Sequence, residues 1–250
     1  LWTGFESPSA GYRKLQGCEL TGLYAALKRR GVVILSSMII GFPDTDRRQV
    51  LKDLRRLQAL KPDLWQILIY FAFPGTPLHQ QVTSEDRYLP AYREKPDYRN
   101  FDGFSMHFKH RHFSPAELEA LQRELYRDNF ERLGPSIVRI ISTWFDGWRC
   151  MRQSSNPLLR ARARRMRNYV QSALPGLYPA AFFGPNRLQR RRARILIRQI
   201  RSEIGPEPWF ERFSGWATLP LAAWTRLAMR LDIGQQPRLL RVEYPSSRQC

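Results

Sequence analysis

Three polar or glycine- and proline-rich turns follow strand-like segments early in the chain, and such turns are suited to hold a ligand. They are Glu6-Ser7 after segment 1–5, Gly41-Phe42-Pro43 after segment 32–40, and Pro74-Gly75-Thr76 after segment 64–71. Glycine lets a backbone approach a ligand closely, and proline stiffens a loop. Because ligands bind at the carboxyl ends of parallel strands, recurring turns of this kind predict a binding site on one rim of a sheet.

The segments between these turns alternate between strand and helix patterns. Residues 19–30 carry apolar side chains at helical spacing and stop before a glycine. Residues 32–40 are β-branched and apolar, which predicts a strand buried on both faces. A second helix, capped by Thr45 or Asp46, precedes the strand at 64–71. The order βαβαβ predicts an α/β fold with a parallel sheet and right-handed crossovers.

The second turn also carries a family pattern. Ile39 and Gly41 match the pattern G-x-I-x-G-x-x-E, while Ser37 stands at its first glycine and Asp44 at its glutamate. With the Glu-Ser turn before it and the Pro-Gly-Thr-Pro turn after it, this stretch resembles the later part of the catalytic barrel of radical S-adenosylmethionine (radical SAM) enzymes. The similarity is clearest over residues 1–82 and to the group that has an N-terminal cobalamin-binding domain.

The resemblance implies the C-terminal part of a partial (β/α) TIM-like barrel and a set of cofactor-binding residues. These are Glu6 and Ser7 near the ribose and amino-acid part of SAM, Ser37, Ile39 and Gly41 around the adenine, and Pro43, Pro74, Gly75 and Thr76 in the neighbouring loops. It further implies a [4Fe-4S] cluster, cobalamin, an external electron donor and a small-molecule or lipid-like substrate. The implied reaction is radical chemistry, such as methyl transfer to carbon.

The cysteines do not supply the cluster motif of that family. A CxxxCxxC loop binds the cluster through three thiolates, whereas Cys18, Cys150 and Cys250 lie far apart. We therefore expect the cluster ligands to lie outside this chain. We interpret the chain as an inactive C-terminal fragment of a longer enzyme. A natural paralogue without a cluster is the alternative. Two other functions stay open: a tRNA-modifying radical SAM enzyme, and a noncatalytic binding protein on the same fold.

Composition sets the expected compartment. The 250 residues are 43% hydrophobic, enough for a sizeable core, and contain no run of about twenty apolar residues that would span a membrane. An odd number of unspaced cysteines argues against a disulfide framework and secretion. We expect a cytoplasmic protein, with peripheral membrane attachment as a second expectation.

The remainder of the chain is predicted to be mainly helical. We divide it into a connecting strand and loop segment at 83–113 and a basic helical region at 114–250. Ser114 and Glu117 form a capping-box pattern, and helices are predicted at 114–134, 137–148, 156–173, 187–204 and 209–231, with a connector at 175–185. Residues 104–109 alternate as in a half-exposed strand. The histidines at 107, 110 and 112 do not favour a metal site, because Lys109 and Arg111 between them would repel a cation.

Charge is concentrated in the helical region. Residues 154–250 hold eighteen arginines, no lysine and five acidic residues, which places +13 of the net +19 there. Clusters such as 160–165 and 190–194 could contact phosphates of nucleic acid or of an anionic membrane. A general preference for arginine, with solvated side chains, is the favoured interpretation. Likewise, the aromatic residues of helix 209–231 could lie on a membrane or a partner, but internal packing is favoured.

Overall fold

The computed structural model describes residues 1–5, 17, 19–92, 101–231 and 233, and it is mainly helical (63%). The strands are β1 (Trp2–Phe5), β2 (Leu35–Ile40) and β3 (Leu64–Ile69). The helices are α1 (Leu20–Arg29), α2 (Arg47–Ala59), α3 (Pro77–Ser84), α4 (Pro115–Leu133), α5 (Ser136–Met151), α6 (Pro157–Ala173), α7 (Leu177–Phe183), α8 (Arg187–Glu203) and α9 (Trp209–Arg230). Short 3₁₀ turns lie at Pro90–Tyr92 and Leu174–Gly176.

The strands form a parallel sheet in the order β1-β2-β3, so the predicted βαβαβ arrangement is confirmed. Gly4 pairs with Ser37, and Ser37 pairs with Gln66 on the next strand. Helices α1 and α2 make the two crossovers that parallel neighbours require. Asp46 caps α2 by accepting a hydrogen bond from the Gln49 backbone N–H, as predicted for that helix start. Within the described residues the sheet is open, and no closed barrel is present.

The two faces of β2 differ, which corrects the prediction of a strand buried on both faces. Ser36, Met38 and Ile40 are buried in the core that the sheet shares with α1, α2 and α4. Leu35, Ser37 and Ile39 point to the other side and are only half-buried. The apolar run could not show this difference, because the described helices cover one face of the sheet and leave the other without a layer.

The outer edge of β3 is closed by side chains and loop backbone. Gln122 on α4 donates from Nε2 to the Ile67 carbonyl at 2.7 Å, and the Ile67 N–H donates to the Tyr126 hydroxyl at 2.9 Å. The Ile69 N–H donates to the Gly103 carbonyl at 2.7 Å. Edge strands with unpaired backbone groups attract further strands. These bonds therefore end the sheet at β3.

Asp63 joins the sheet to the helical region. Its buried carboxylate accepts hydrogen bonds from the Ile34 N–H at 2.9 Å and the Thr143 hydroxyl at 2.7 Å, and it pairs with Lys28 at 3.0 Å. Arg139 donates to the Asp63 carbonyl at 3.0 Å. Burial lowers the pKa of Arg139 to about 10, although the charge of Asp63 opposes that shift. The groups come from α1, α5 and the turns before β2 and β3, so this cluster fixes how α5 lies against the sheet.

Two predictions for the middle and helical regions are wrong. The connector at 175–185 contains α7, because Leu177, Tyr178 and Ala180 are buried in the same core as α5, α6 and α8. The alternating segment at 104–109 forms only an isolated antiparallel bridge between Phe108 and Tyr88. His107 and Phe108 are both fully buried, which a half-exposed strand does not allow.

The aromatic residues of α9 do not pack as expected. Trp209 is 82% exposed, Phe213 73% and Trp224 59%, so the packing interpretation is wrong for these side chains. The predicted helix itself is confirmed with nearly the same bounds. No helix in the described part of the chain combines the length and apolarity needed to cross a bilayer.

Candidate functional site at the carboxyl ends of the strands

The predicted site residues fall into separate groups in the structure. Glu6 and Ser7 lie outside the described residues. Ser37 and Ile39 lie on the half-open face of the sheet, which we call the inner face. It is formed by Trp2, Gly4, Leu35, Ser37, Ile39, Gln66 and Leu68. Pro43 follows β2, and Pro74, Gly75 and Thr76 form the turn before α3.

A hydrogen-bonded row crosses the inner face. The indole N–H of Trp2 donates to the Ser37 hydroxyl, which donates in turn to Oε1 of Gln66 at 3.0 Å. In the next register, Ile39 pairs with Leu68, so an apolar pair lies beside the polar row. The sequence analysis missed Trp2 and Gln66. The available signal was a glutamine in the middle of an otherwise apolar strand.

Gly41 lies in close contact with the protein core. Its φ of 81° is in the left-handed region that favours glycine. A Cβ at this position would lie 2.7 Å from Cδ2 of Leu118, which is fully buried on α4. The close approach at Gly41 is therefore made by a core side chain of this protein, and it explains the glycine without a ligand.

The turn at 74–76 is more open. Gly75 has a φ of 82°, and a Cβ there would meet no atom within 4 Å. Thr76 caps α3, accepting from the His79 N–H at 3.3 Å and donating to the Phe73 carbonyl at 2.6 Å. Pro74 and Gly75 are exposed. This turn has a fixed backbone and free space beside it, as a ligand-contacting loop requires.

A cleft of about 850 Å³ lies between the loop after β2 and the start of α3. Its lining includes Pro43, Arg48, Lys52, Tyr70, Leu78 and Gln81. Of the predicted site residues in the described ranges, Pro43 is the one that lines it. Ser37, Ile39 and the turn at 74–76 do not line the cleft, so the cleft and the inner face are different surfaces.

Histidine and arginine side chains hold the loop after β2. Nε2 of His110 donates to the Phe42 carbonyl at 2.7 Å, while its Nδ1 accepts from the His112 N–H at 3.0 Å. Burial lowers the pKa of His110, and the bond to Phe42 opposes that shift. Asp44, at the glutamate position of the family pattern, pairs with Arg111 at 2.9 Å. Both of these side chains are exposed, so the ion pair contributes little to stability.

Aromatic rings gather beside the turn at 74–76. The Phe71 ring centroid lies 4.3 Å from that of Phe73 and 5.1 Å from that of Phe101. Tyr92 and Phe101 contact the fully buried His107, with centroids at 4.4 and 4.6 Å. Phe73 is 53% exposed. The group forms an apolar lip at the carboxyl end of β3, which the sequence analysis did not identify.

Metal-ligating side chains do not converge in the described ranges. Groups of three or more histidine, cysteine, aspartate or glutamate residues that could hold an ion are absent there. Cys150 is an exposed free thiol on α5, and Cys18 and Cys250 lie outside the described residues. The described residues therefore provide no ligand set for an iron–sulfur cluster.

Comparison with known proteins gives no relative for this chain: no protein-family model, curated protein or solved structure matches it.

Proposed function

We propose that this chain contributes the last three strands of a partial (β/α) barrel in a radical SAM enzyme, with the inner face turned toward the cofactor. One observation carries the proposal: the three parallel strands run in sequential order, with one outer edge closed by α4 and one face left half-open. Parallel sheets are ordinarily covered on both faces. A barrel that continues beyond β1 would enclose the inner face and give it a ligand to bind.

The chemistry of the inner face suits an adenosyl group. Ile39 and Leu68 offer an apolar surface for a planar base. Ser37 holds the amide of Gln66 in one orientation, and this fixes where its Nε2 donor lies. Recognition sites for small ligands combine such an apolar surface with a few fixed polar groups. Glu6 and Ser7 belong to the proposal through the family resemblance, at the end of the neighbouring strand.

When bound, SAM and a [4Fe-4S] cluster supply one-electron chemistry on unactivated C–H bonds, and cobalamin supplies a methyl group for transfer. The cluster ligands would come from outside residues 1–250, because the sequence lacks a CxxxCxxC motif. This chain's part is to hold the nucleoside rigidly on strands and to exclude water. The aromatic lip of Phe71, Phe73 and Phe101 would contact a small-molecule or lipid-like substrate, and an external donor would supply electrons.

The test uses the complete reading frame that contains this chain. We expect a CxxxCxxC motif upstream of Leu1 and formation of 5′-deoxyadenosine after anaerobic cluster reconstitution. Gln66→Ala should weaken SAM binding about fivefold, since a fixed hydrogen bond contributes about 1 kcal/mol. The matched control is Gln80→Ala, at an exposed glutamine on α3. Calorimetry of SAM binding measures both variants.

Two results would contradict the proposal. One is a complete reading frame without the three-cysteine loop. The other is a Gln66→Ala variant that binds SAM like the parent protein. Gly41→Val would collide with Leu118 and therefore report on folding rather than on the cofactor.

A further inference from the structure

Helix α9 exposes a continuous apolar stripe. The residues of this stripe are spaced three, four or eight positions apart, and this spacing places them on one side of a helix. The outer stripe consists of exposed side chains: Trp209, Phe213, Trp216, Trp224, Leu227 and Leu231. Trp216 lies at its border, because the half-exposed ring also contacts the rings of Tyr178 and Phe182 on α7, with centroids at 5.6 and 5.9 Å. Phe210 and Leu221 extend it on one side, at 56% and 66% exposed. Scattered exposed apolar residues are normal, but a contiguous patch of this kind marks an interaction surface.

The opposite side of α9 faces the protein. A Cβ on Gly215 would lie 2.6 Å from Pro175 and 2.9 Å from Tyr178, so the helix backbone rests directly on the turn before α7 and on α7 itself. Leu219 packs against the core of the helical region. Oγ of Ser172 donates to Glu211 at 3.1 Å. An ordinary surface helix buries its apolar side. In α9 most of the large apolar side chains, those of the outer stripe, point away from the other helices instead.

A buried charge cluster fixes this orientation at the start of α9. The fully buried Glu207 accepts hydrogen bonds from Arg201 at 3.1 Å, from Arg212 at 3.2 Å, and from the Tyr178 hydroxyl. Arg212 belongs to the first turn of α9, whereas Arg201 and Tyr178 belong to α8 and α7. The helix is therefore held by specific bonds, and its outward apolar side is a feature of the folded structure.

The helical region that carries α9 is strongly basic. Residues 154–250 carry +13 of the net charge. Exposed arginines without an acidic ion-pair partner in the described part of the chain include Arg162, Arg164 and Arg165 on α6, and Arg191, Arg194 and Arg198 on α8. Like charge opposes the approach of a second copy of this region and favours an anionic surface.

We propose that α9 lies flat on an anionic phospholipid surface, with the outer stripe inserted among the lipid headgroups and acyl chains and the basic helical region attracted to the lipid phosphates. Three of the chain's seven tryptophans lie in the outer stripe. Tryptophan is enriched at membrane interfaces because its ring is apolar and its N–H is polar. A nucleic acid would use the arginines but leave the outer stripe in water, and a second copy would bring like charges together.

The first experiment measures co-sedimentation of the chain with lipid vesicles. Vesicles of phosphatidylcholine alone are compared with vesicles that also contain phosphatidylglycerol. We expect binding to the anionic vesicles only, weakened by added salt because salt screens the attraction between the arginines and the lipid phosphates. Tryptophan fluorescence should shift to the blue on binding and be quenched by brominated lipid, since the indoles of the outer stripe enter the interface.

The second experiment removes part of the outer stripe. Phe213→Ser combined with Trp224→Ser should reduce vesicle affinity about a hundredfold, because burying each aromatic side chain contributes about a factor of ten. The control combines Leu23→Ser with Phe104→Ser, which are exposed outside the basic helical region and should leave affinity unchanged. Circular dichroism melting should show both variants as stable as the parent, since all four side chains are exposed.

The alternative occupants give distinct results, each of which overturns the proposal. In the first, the chain does not bind vesicles but forms a concentration-dependent dimer, and the outer-stripe variant abolishes the dimer. That result would assign the stripe to a second copy of the chain. The second is binding to an RNA homopolymer that the outer-stripe variant leaves unchanged, without vesicle binding. The third is equal affinity for neutral and anionic vesicles. Failure here leaves the SAM proposal untouched, because the inner face and the outer stripe are tested by different ligands.

Discussion

The inner face of the sheet and the outer stripe of α9 are two partly uncovered surfaces of very different composition. On the inner face, Ile39 and Leu68 lie beside a hydrogen-bonded row from Trp2 through Ser37 to Gln66. The outer stripe has only apolar and aromatic side chains, and its polar neighbours bond backward to the protein. One surface has fixed polar groups, whereas the other has apolar area alone.

This difference separates two kinds of recognition. A small ligand is selected by a few polar groups held in fixed positions within an apolar site. A lipid surface has no fixed hydrogen-bonding geometry, so apolar area and charge are sufficient to bind it. The comparison therefore assigns a specific ligand to the inner face and an extended surface to α9. Glu207 and the arginines that bond to it hold the start of α9, and we call this group the anchor of α9. Changes at the anchor should lower the stability of the fold strongly, whereas changes on the two uncovered surfaces should lower it little.

The largest effect is expected at the anchor of α9. Glu207→Gln removes the buried charge that accepts hydrogen bonds from Arg201, Arg212 and Tyr178, and a hydrogen bond to a charged group contributes about 1.5–3 kcal/mol, so we expect a loss of about 3 kcal/mol in the free energy of unfolding. Urea unfolding measures this loss. The control is Glu203→Gln, whose partly exposed ion pair with Arg149 should contribute less than about 1 kcal/mol. Equal losses in the two variants would show that Glu207 is not a special anchor.

The same carboxylate gives a pH dependence. Burial would raise the pKa of Glu207, but the hydrogen bonds from Arg201 and Tyr178 outweigh it and lower the pKa from 4.5 to about 2. Its contribution is therefore complete above pH 4.5 and is lost as the pH falls toward about 2. Glu207→Gln should remove this part of the acid dependence. Parallel unfolding curves for parent and variant across that range would contradict the assignment.

A smaller effect is expected where α9 rests on the body. Gly215→Val places a branched side chain against Pro175 and Tyr178, and overpacking of this kind costs about 1–3 kcal/mol. Ala217→Val, two residues along the same helix and exposed, should change stability by less than about 0.5 kcal/mol. Thermal melting distinguishes the two. If Gly215→Val melts like the parent, α9 does not pack as described.

On the inner face we expect a modest loss. Ser37→Ala removes the hydroxyl that links Trp2 to Gln66 and should cost about 1 kcal/mol. Ser155→Ala, at an exposed loop position, is the matched control and should be neutral. Urea unfolding again measures both. A loss well above this range would mean that the polar row is a structural element of the fold rather than part of a ligand surface.

The smallest effect is expected on the outer stripe. Phe213→Ser should change the free energy of unfolding by less than about 0.5 kcal/mol, because the side chain is 73% exposed and the two residues have similar helix propensities. Ile200→Ala, a fully buried change in the core beneath, should cost about 2–5 kcal/mol. A large loss for Phe213→Ser would indicate that the stripe packs internally.

Local patterns in the sequence were sufficient for most elements. The βαβαβ order, the cap of α2 at Asp46 and the capping box of α4 at Ser114 all follow from residues close together in the chain. The α7 helix was missed, since proline and glycine around it indicate a connector, whereas burial against the neighbouring helices stabilises it. Of the candidate site, Ser37 and Ile39 were placed on the correct sheet, but their partner Gln66 was not found.

The alternating elements and the helix ends follow from the sequence alone, because they depend on side-chain spacing and backbone preferences over a few residues. The excess of arginine follows from composition. What each surface contacts depends on the tertiary structure. It put Leu118 against Gly41, buried His107 among aromatic rings, and turned the apolar side of α9 outward. Burial depends on which distant segments cover a residue. Periodicity gives a helix an apolar side, and only packing with the remainder of the chain decides which way that side points.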